Sequence, residues 1–167
     1  MTTENRDWIQ QLVVERKERE YQAESRARLS RAIQAEAPAI LESLRRAVAR
    51  DVARINDEFY GKDVLVLKAG VAGDSDFIVD KITLPAASVF VKIKPYEHTL
   101  EYILKTQATH LSHPSKGPTE SIEIIAGDDI NELRFRKGDK VLSLDAISQR
   151  LIEPVVRADQ DLTEERR

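Results

Sequence analysis

SVFVKIKPYEHTLEYILKTQA, residues 88–108, is the stretch that reads most clearly as sheet. Val89, Val91 and Ile93 share one face of the first run, and Leu100, Tyr102 and Leu104 share one face of the second. Only Pro95-Tyr96-Glu97 joins them, a connection long enough for an antiparallel turn and nothing else. The same texture extends both ways. DVLVLKA (63–69) and DFIVDKITL (76–84) are strand candidates around the turn GVAGDSD. SIEIIAG (121–127) and ELRFRKG (132–138) follow, with Asp139-Lys140-Val141-Leu142 a possible extension past Gly138. HLSHPSKGPTE (110–120), with two prolines and a glycine, reads as a surface loop. The expected sheet therefore has five to six strands, and spacings this short leave no room for crossover helices, so it is largely antiparallel.

Residues 1–59 contain no glycine and one proline, whereas residues 60–143 hold all six glycines and four of the six prolines. Leu29, Ile33, Ala37, Ile40, Leu41, Leu44, Val48, Val52, Ile55 and Phe59 recur every three or four residues, the spacing of one helical stripe. Pro38 kinks this helix or starts a second one. Upstream, DWIQQLVVERKEREYQAESR (7–26) opens with Trp8, Ile9, Leu12, Val13 and Val14 and then turns to charge, with no usable apolar face until Leu29. After the strands, Ser143 is placed to cap LDAISQRLIEPVV, whose Leu144, Ile147, Leu151, Ile152 and Val155 form a buried face; Asp145 suits its first turn. The expected class is α+β: a long N-terminal helix, an antiparallel sheet and a C-terminal helix. The expected division is a helical arm over 1–28, a single domain over 29–157 and a polar tail over 158–167.

With 33% charged and 41% hydrophobic residues and a net charge of −3, no global field points to nucleic acid or an acidic membrane. The absence of cysteine excludes disulfides, thiolate metal sites and cysteine nucleophiles, and suits a reducing cytoplasm. MTTENRDW shows no signal-peptide pattern, and no apolar run approaches the ~18 residues needed to span a bilayer. The expectation is a cytoplasmic protein.

No phosphate-loop, dinucleotide or nucleophile-elbow motif occurs. His110 and His113, three apart in a loop, and His98 at the start of a strand do not supply a metal set, so no metal or cofactor is expected. Asp74 and Asp76, and Asp128 and Asp129 before Asn131 and Glu132, suit turns better than calcium, because neither stretch has the length of an EF-hand loop. Arg46, Arg50 and Arg54 on the outer side of the helix, with Arg134, Arg136 and Lys137 on a strand, are a possible basic surface. Acids interleave with them (eleven basic against eleven acidic side chains through residue 59), which favours a solvated face over a nucleic-acid interface. Most aromatics that could stack bases, Phe59, Phe77, Phe90, Tyr102 and Phe135, fall where a core wants them.

The apolar start is the feature that asks for an explanation. A helix over 3–35 is ~50 Å long, while the remaining domain has a radius of gyration near ~14 Å. Burying Trp8, Ile9, Leu12 and Val13 is worth on the order of 6–8 kcal/mol before entropy. The leading expectation is a non-enzymatic interaction or scaffold module that self-associates through this helix, most simply as a homodimer. A different protein offering a groove is the other possible partner. The alternatives are a nucleic-acid-associated protein using the arginine-rich surfaces, and a ligand-binding or enzymatic domain with a pocket on the sheet.

Overall fold

The computed structural model describes residues 4–68, 75–129 and 132–164. Helix α1 runs from Glu4 to Ile55, 52 residues, about 78 Å at 1.5 Å per residue. It is not broken at Pro38, so the reading of a second helix beginning there is corrected. Proline forfeits one backbone hydrogen bond and crowds the preceding turn at ~3 kcal/mol. Here Ile33 and Leu44, on either side of it, are both fully buried in one core, which holds the two segments in a single rod.

A π-helical turn, Asn56–Tyr60, and Gly61 at φ 72° end the rod and reverse the chain. The Asn56 side chain fixes the reversal. Its Nδ2 donates to the Val64 carbonyl at 2.7 Å and its Oδ1 accepts from the Val64 N–H at 3.1 Å.

Seven strands follow: β1 Val64–Lys68, β2 Phe77–Lys81, β3 Ala86–Lys94, β4 Thr99–Gln107, β5 Ser115–Ala126, β6 Leu133–Lys137 and β7 Lys140–Leu142. Each pairs antiparallel with the next in sequence order, and the sheet curls into a half-barrel. The hairpin at 88–108 has the expected register, with Val91 opposite Tyr102 and Ile93 opposite Leu100. Two expectations fail. The sheet has seven strands because Gly138, at φ 61°, turns the chain so that Leu142 pairs with Phe135 as a separate strand. The loop assigned to 110–120 is strand from Ser115 onward, with Ser115 and Lys116 opposite Thr106 and Lys105. Its proline and glycine are tolerated because the register shifts between Ile103 and Lys105, a bulge that frees backbone from the ladder. Gly117 lies against it, where a Cβ would come to 3.3 Å from the Leu104 carbonyl oxygen.

Strand alternation sends Phe77, Val79, Val89, Val91, Leu100, Tyr102, Ile122, Ile124 and Phe135 to the concave side, where all are buried. The C-terminal half of α1 lies in that concavity. Leu41 and Arg45 face Lys68 and Phe77 on one flank, and Ile40 and Ser43 face Phe135 and Leu142 on the other. Helix α2, Leu144–Glu164, lies beside α1 and across β2, β3 and β4. Ser143 caps it, its Oγ accepting from the Ala146 N–H at 3.1 Å. It continues past Pro154 to Glu164. Asp51 on α1 accepts from the buried Ser148 hydroxyl on α2 at 2.7 Å, and Arg50 reaches Asp145 at 2.8 Å.

Two aromatic positions differ from expectation. Phe59 is 74% exposed, because the π-helical turn carries it off the α1 stripe. Phe90 is on the convex face, half-buried, with the Lys105 ammonium 4.2 Å from its ring centroid; this is the side that alternation assigns to the residue between Val89 and Val91.

Leu44 has no exposed surface and sits where α1 meets the sheet. Leu44→Ala is expected to lower stability by about 3–5 kcal/mol, measured as a shift of the urea unfolding midpoint at constant slope.

Candidate interaction surface

Residues 7–28 of α1 are exposed at every position, and burial begins at Leu29 and Ser30. This stalk is about 33 Å long. It leaves the body at one clasp: the Ser30 Oγ lies 2.8 Å from His98 Nε2. His98 is at φ 55° in the β3–β4 turn, and its carbonyl accepts from the Ile124 N–H at 2.7 Å. The clasp thus ties helix, turn and β5 together at the lip of the half-barrel.

The foot of the stalk holds the apolar residues singled out in the sequence. Trp8, Ile9, Leu12 and Val13 are each about half exposed, Trp8 at 51% and Leu12 at 53%, and Val14 beside them is also exposed. At 100° per residue Trp8, Leu12, Ile9 and Val13 fill an arc of about 140°. The arc overlaps the side on which Ile33, Leu44, Val48 and Val52 are buried. The foot therefore continues the core stripe beyond the end of its own body. Between foot and clasp the stalk carries ion pairs one turn apart: Arg16 with Glu20 at 3.0 Å, Arg19 with Glu15 at 3.8 Å and Arg28 with Glu24 at 2.7 Å. Such pairs support an isolated helix by a few tenths of a kcal/mol each.

Each of the six candidate basic residues is paired with acid. Arg46 meets Glu42 at 3.2 Å, Arg50 meets Asp51 at 3.0 Å, and Arg54 meets Glu58 at 3.0 Å. Arg134 meets Asp128 at 2.8 Å, Arg136 meets Glu123 at 2.6 Å, and Lys137 meets Glu120 at 2.6 Å. The strand group is also split. Alternation puts Arg134 and Arg136 on the convex face, whereas Lys137 turns inward to lie 5.7 Å from the Tyr102 ring centroid. Lys137 holds the Glu120 carboxyl below its usual range. A cleft of about 520 Å³ opens there between sheet and α2, lined by Tyr102, Glu120, Lys137, Arg150, Glu153 and Arg157, with Arg157 on Glu153 at 2.7 Å. A second groove, about 340 Å³ and mostly apolar, runs between the end of α1 and α2 past Ile55, Ile152 and Val156.

The histidines do not converge. His98 precedes β4 and the exposed His110 and His113 follow it, so about 30 Å of strand separates them. Among the described residues no group of three or more His, Asp or Glu side chains is arranged to hold a metal ion. Asp76 spends its carboxylate on the Ile93 N–H at 2.8 Å, and Asp128 on Arg134; Asp74 and Asn131 lie outside the described residues. No described helix is long and apolar enough to cross a membrane.

The chain matches no protein-family model, and neither the curated proteins nor the solved structures hold a significant match to it.

The hydrogen bond from Arg45 holds the Glu42 carboxyl at about 2, with Arg46 adding to it, against an ordinary value of 4.5. A depressed carboxyl stabilises the fold above its ordinary value and loses that contribution as pH falls toward the folded one. Glu42→Gln is therefore expected to be less stable than the parent at neutral pH. The gap should close between pH 4.5 and pH 2 in urea titrations, and should shrink in high salt because the pair is only half-buried.

Proposed function

We propose that this chain is a non-enzymatic protein-interaction or scaffold module that self-associates through its N-terminal helix, as a homodimer, in the cytoplasm. The observation that carries the reading is the half-exposed foot, Trp8, Ile9, Leu12 and Val13, at the end of a stalk whose own body stops at Ser30. Folding the foot back onto that body requires breaking a helix that runs unbroken to Ile55. The cysteine-free composition supports the cytoplasmic setting.

Magnitudes bear on how the copies meet. About half the burial of the four foot side chains is still to be gained, on the order of 3–4 kcal/mol per copy and ~7 kcal/mol for two. Association itself costs an estimated 4–15 kcal/mol. With Val14 included, two feet present roughly 1,000 Å², short of the ~1,200 Å² at which specific interfaces begin. Contact between feet alone is too small for a stable pair, so the stalks must contribute.

The alternatives draw less support. A nucleic-acid surface needs cations available to phosphate, and Arg46, Arg50, Arg54, Arg134, Arg136 and Lys137 each hold an acid. A pocket on the sheet needs an open concave face, and α1 and α2 fill most of it.

Light scattering at micromolar concentration is expected to give twice the chain mass of 19.0 kDa, and Leu12→Asp is expected to return a single chain. The same change should leave the unfolding free energy of the body within about 0.5 kcal/mol, because Leu12 touches no core. A single-chain mass for the unaltered protein overturns the proposal.

A further inference from the structure

We infer that the cleft between the sheet and α2 is a binding site for a small organic carboxylate, held by the Arg150 guanidinium and the Tyr102 hydroxyl. Such a site is independent of how copies of the chain associate.

The cleft exists because two periodicities turn polar at the same place. On the concave face the inward positions run from Leu100 to Tyr102 on β4, from Ile122 back to Glu120 on β5, and from Phe135 to Lys137 on β6. Tyr102 and Glu120 are direct partners in the register. On α2, Arg150, Glu153, Pro154 and Arg157 recur every three or four residues, along the flank of the buried stripe Ile147, Leu151 and Val155. The strand row and the helix row line one cleft of about 520 Å³, a size that suits a small molecule.

The charges in it do not cancel. Lys137, Arg150 and Arg157 stand against Glu120 and Glu153, three cations to two carboxylates. Lys137 is spent on Glu120 at 2.6 Å and Arg157 on Glu153 at 2.7 Å. Arg150 is exposed and makes no ion pair among the described residues. Its charge still acts on the cleft: Glu120 is held below the usual carboxylate range by Lys137 first and by Arg150 as well.

Tyr102 supplies the second, independent pointer. It is only 8% exposed, yet its hydroxyl has no hydrogen-bond partner among the described residues and is not sealed from the cleft it lines. The Lys137 ammonium lies 5.7 Å from its ring centroid. A tyrosine buried to this degree usually finds an acceptor, and here the acceptor has to come from inside the cleft.

A carboxylate meets both demands. Its two coplanar oxygens match the guanidinium fork and leave a lone pair for the phenol. Its single negative charge balances the one cation in excess, whereas the second charge of a phosphate dianion would be opposed by Glu120 and Glu153. The Tyr102 ring and Pro154 give the body of the ligand an apolar wall.

The test is titration of the full chain with sodium benzoate at constant ionic strength, read by amide NMR, with inorganic phosphate as a second arm. Saturable shifts are expected at residues 102, 120, 137 and 150, with a Kd of ~1 mM or below. Arg150→Gln should weaken binding about 10-fold or more. Tyr102→Phe, which keeps the ring and loses the hydroxyl, should weaken it about 3- to 10-fold. Arg46→Gln, outside the cleft, should leave it unchanged. Absence of saturation, saturable shifts confined to other residues, or undiminished affinity in both cleft variants overturns the inference. So does phosphate binding more tightly than benzoate. Both cleft variants should keep the parent's mass in light scattering, so that this site and the self-association reading stand or fall separately.

Discussion

The structure depends on one rod doing two incompatible jobs. A seven-stranded meander that curls into a half-barrel has an apolar concave face and two open edges, and it needs something apolar of the right diameter in the middle. The C-terminal half of α1, with α2 beside it, is that filling: Ile33, Leu44, Val48 and Val52 are buried together with Ile147, Leu151 and Val155 against the strands' inward residues. The N-terminal half is an extension of the same rigid body. A free helix of its length is marginal in water. Here its nucleus already exists in the buried half, so each further turn adds hydrogen bonds without a new nucleation cost, and the one-turn ion pairs add to that. The result is a projecting helix held straight by a core that it does not itself touch.

That division accounts for what the sequence disclosed. The hairpin at 88–108 was legible because both strands keep strict alternation with a three-residue connection. The α1 stripe was legible because ten apolar residues hold helical spacing, and that spacing carries across Pro38 without a slip, a hint of continuity. The N-terminal cap of the last helix was legible from Ser143 and Asp145. The misses have local causes. β7 is three residues long, too short to show a period. The start of β5 is disguised by Gly117 and Pro118, which look like loop until the bulge opposite them is known. Phe90 was assigned to the core on residue type, although its parity with Val89 and Val91 placed it outside.

The foot was visible as a cluster in the sequence. Its direction was not, because the angle between residues 8–13 and the core stripe has meaning only once the helix is known to be continuous. The clasp at Ser30 and His98 joins residues far apart in sequence, and the only trace of it in the chain was a histidine at a turn. The basic groups show the opposite limit. Their clustering was legible, but their neutralisation was not, since Arg50 reaches Asp145 and Arg136 reaches Glu123 across elements whose registry the sequence does not display. With those cations paired and the histidines at opposite ends of β4, the half-exposed foot and exposed stalk are the features on which the proposed self-association rests.

Hydrogen exchange resolved by residue, on the full chain at two protein concentrations far apart, tests this account most directly. Amides of residues 40–52 should exchange equally slowly at both, since the half-barrel holds them. Amides of residues 9–28 should be weakly protected in dilute solution and strongly protected in concentrated solution, because a second copy covers them. Stalk protection that is identical at the two concentrations, whether high or low, contradicts it.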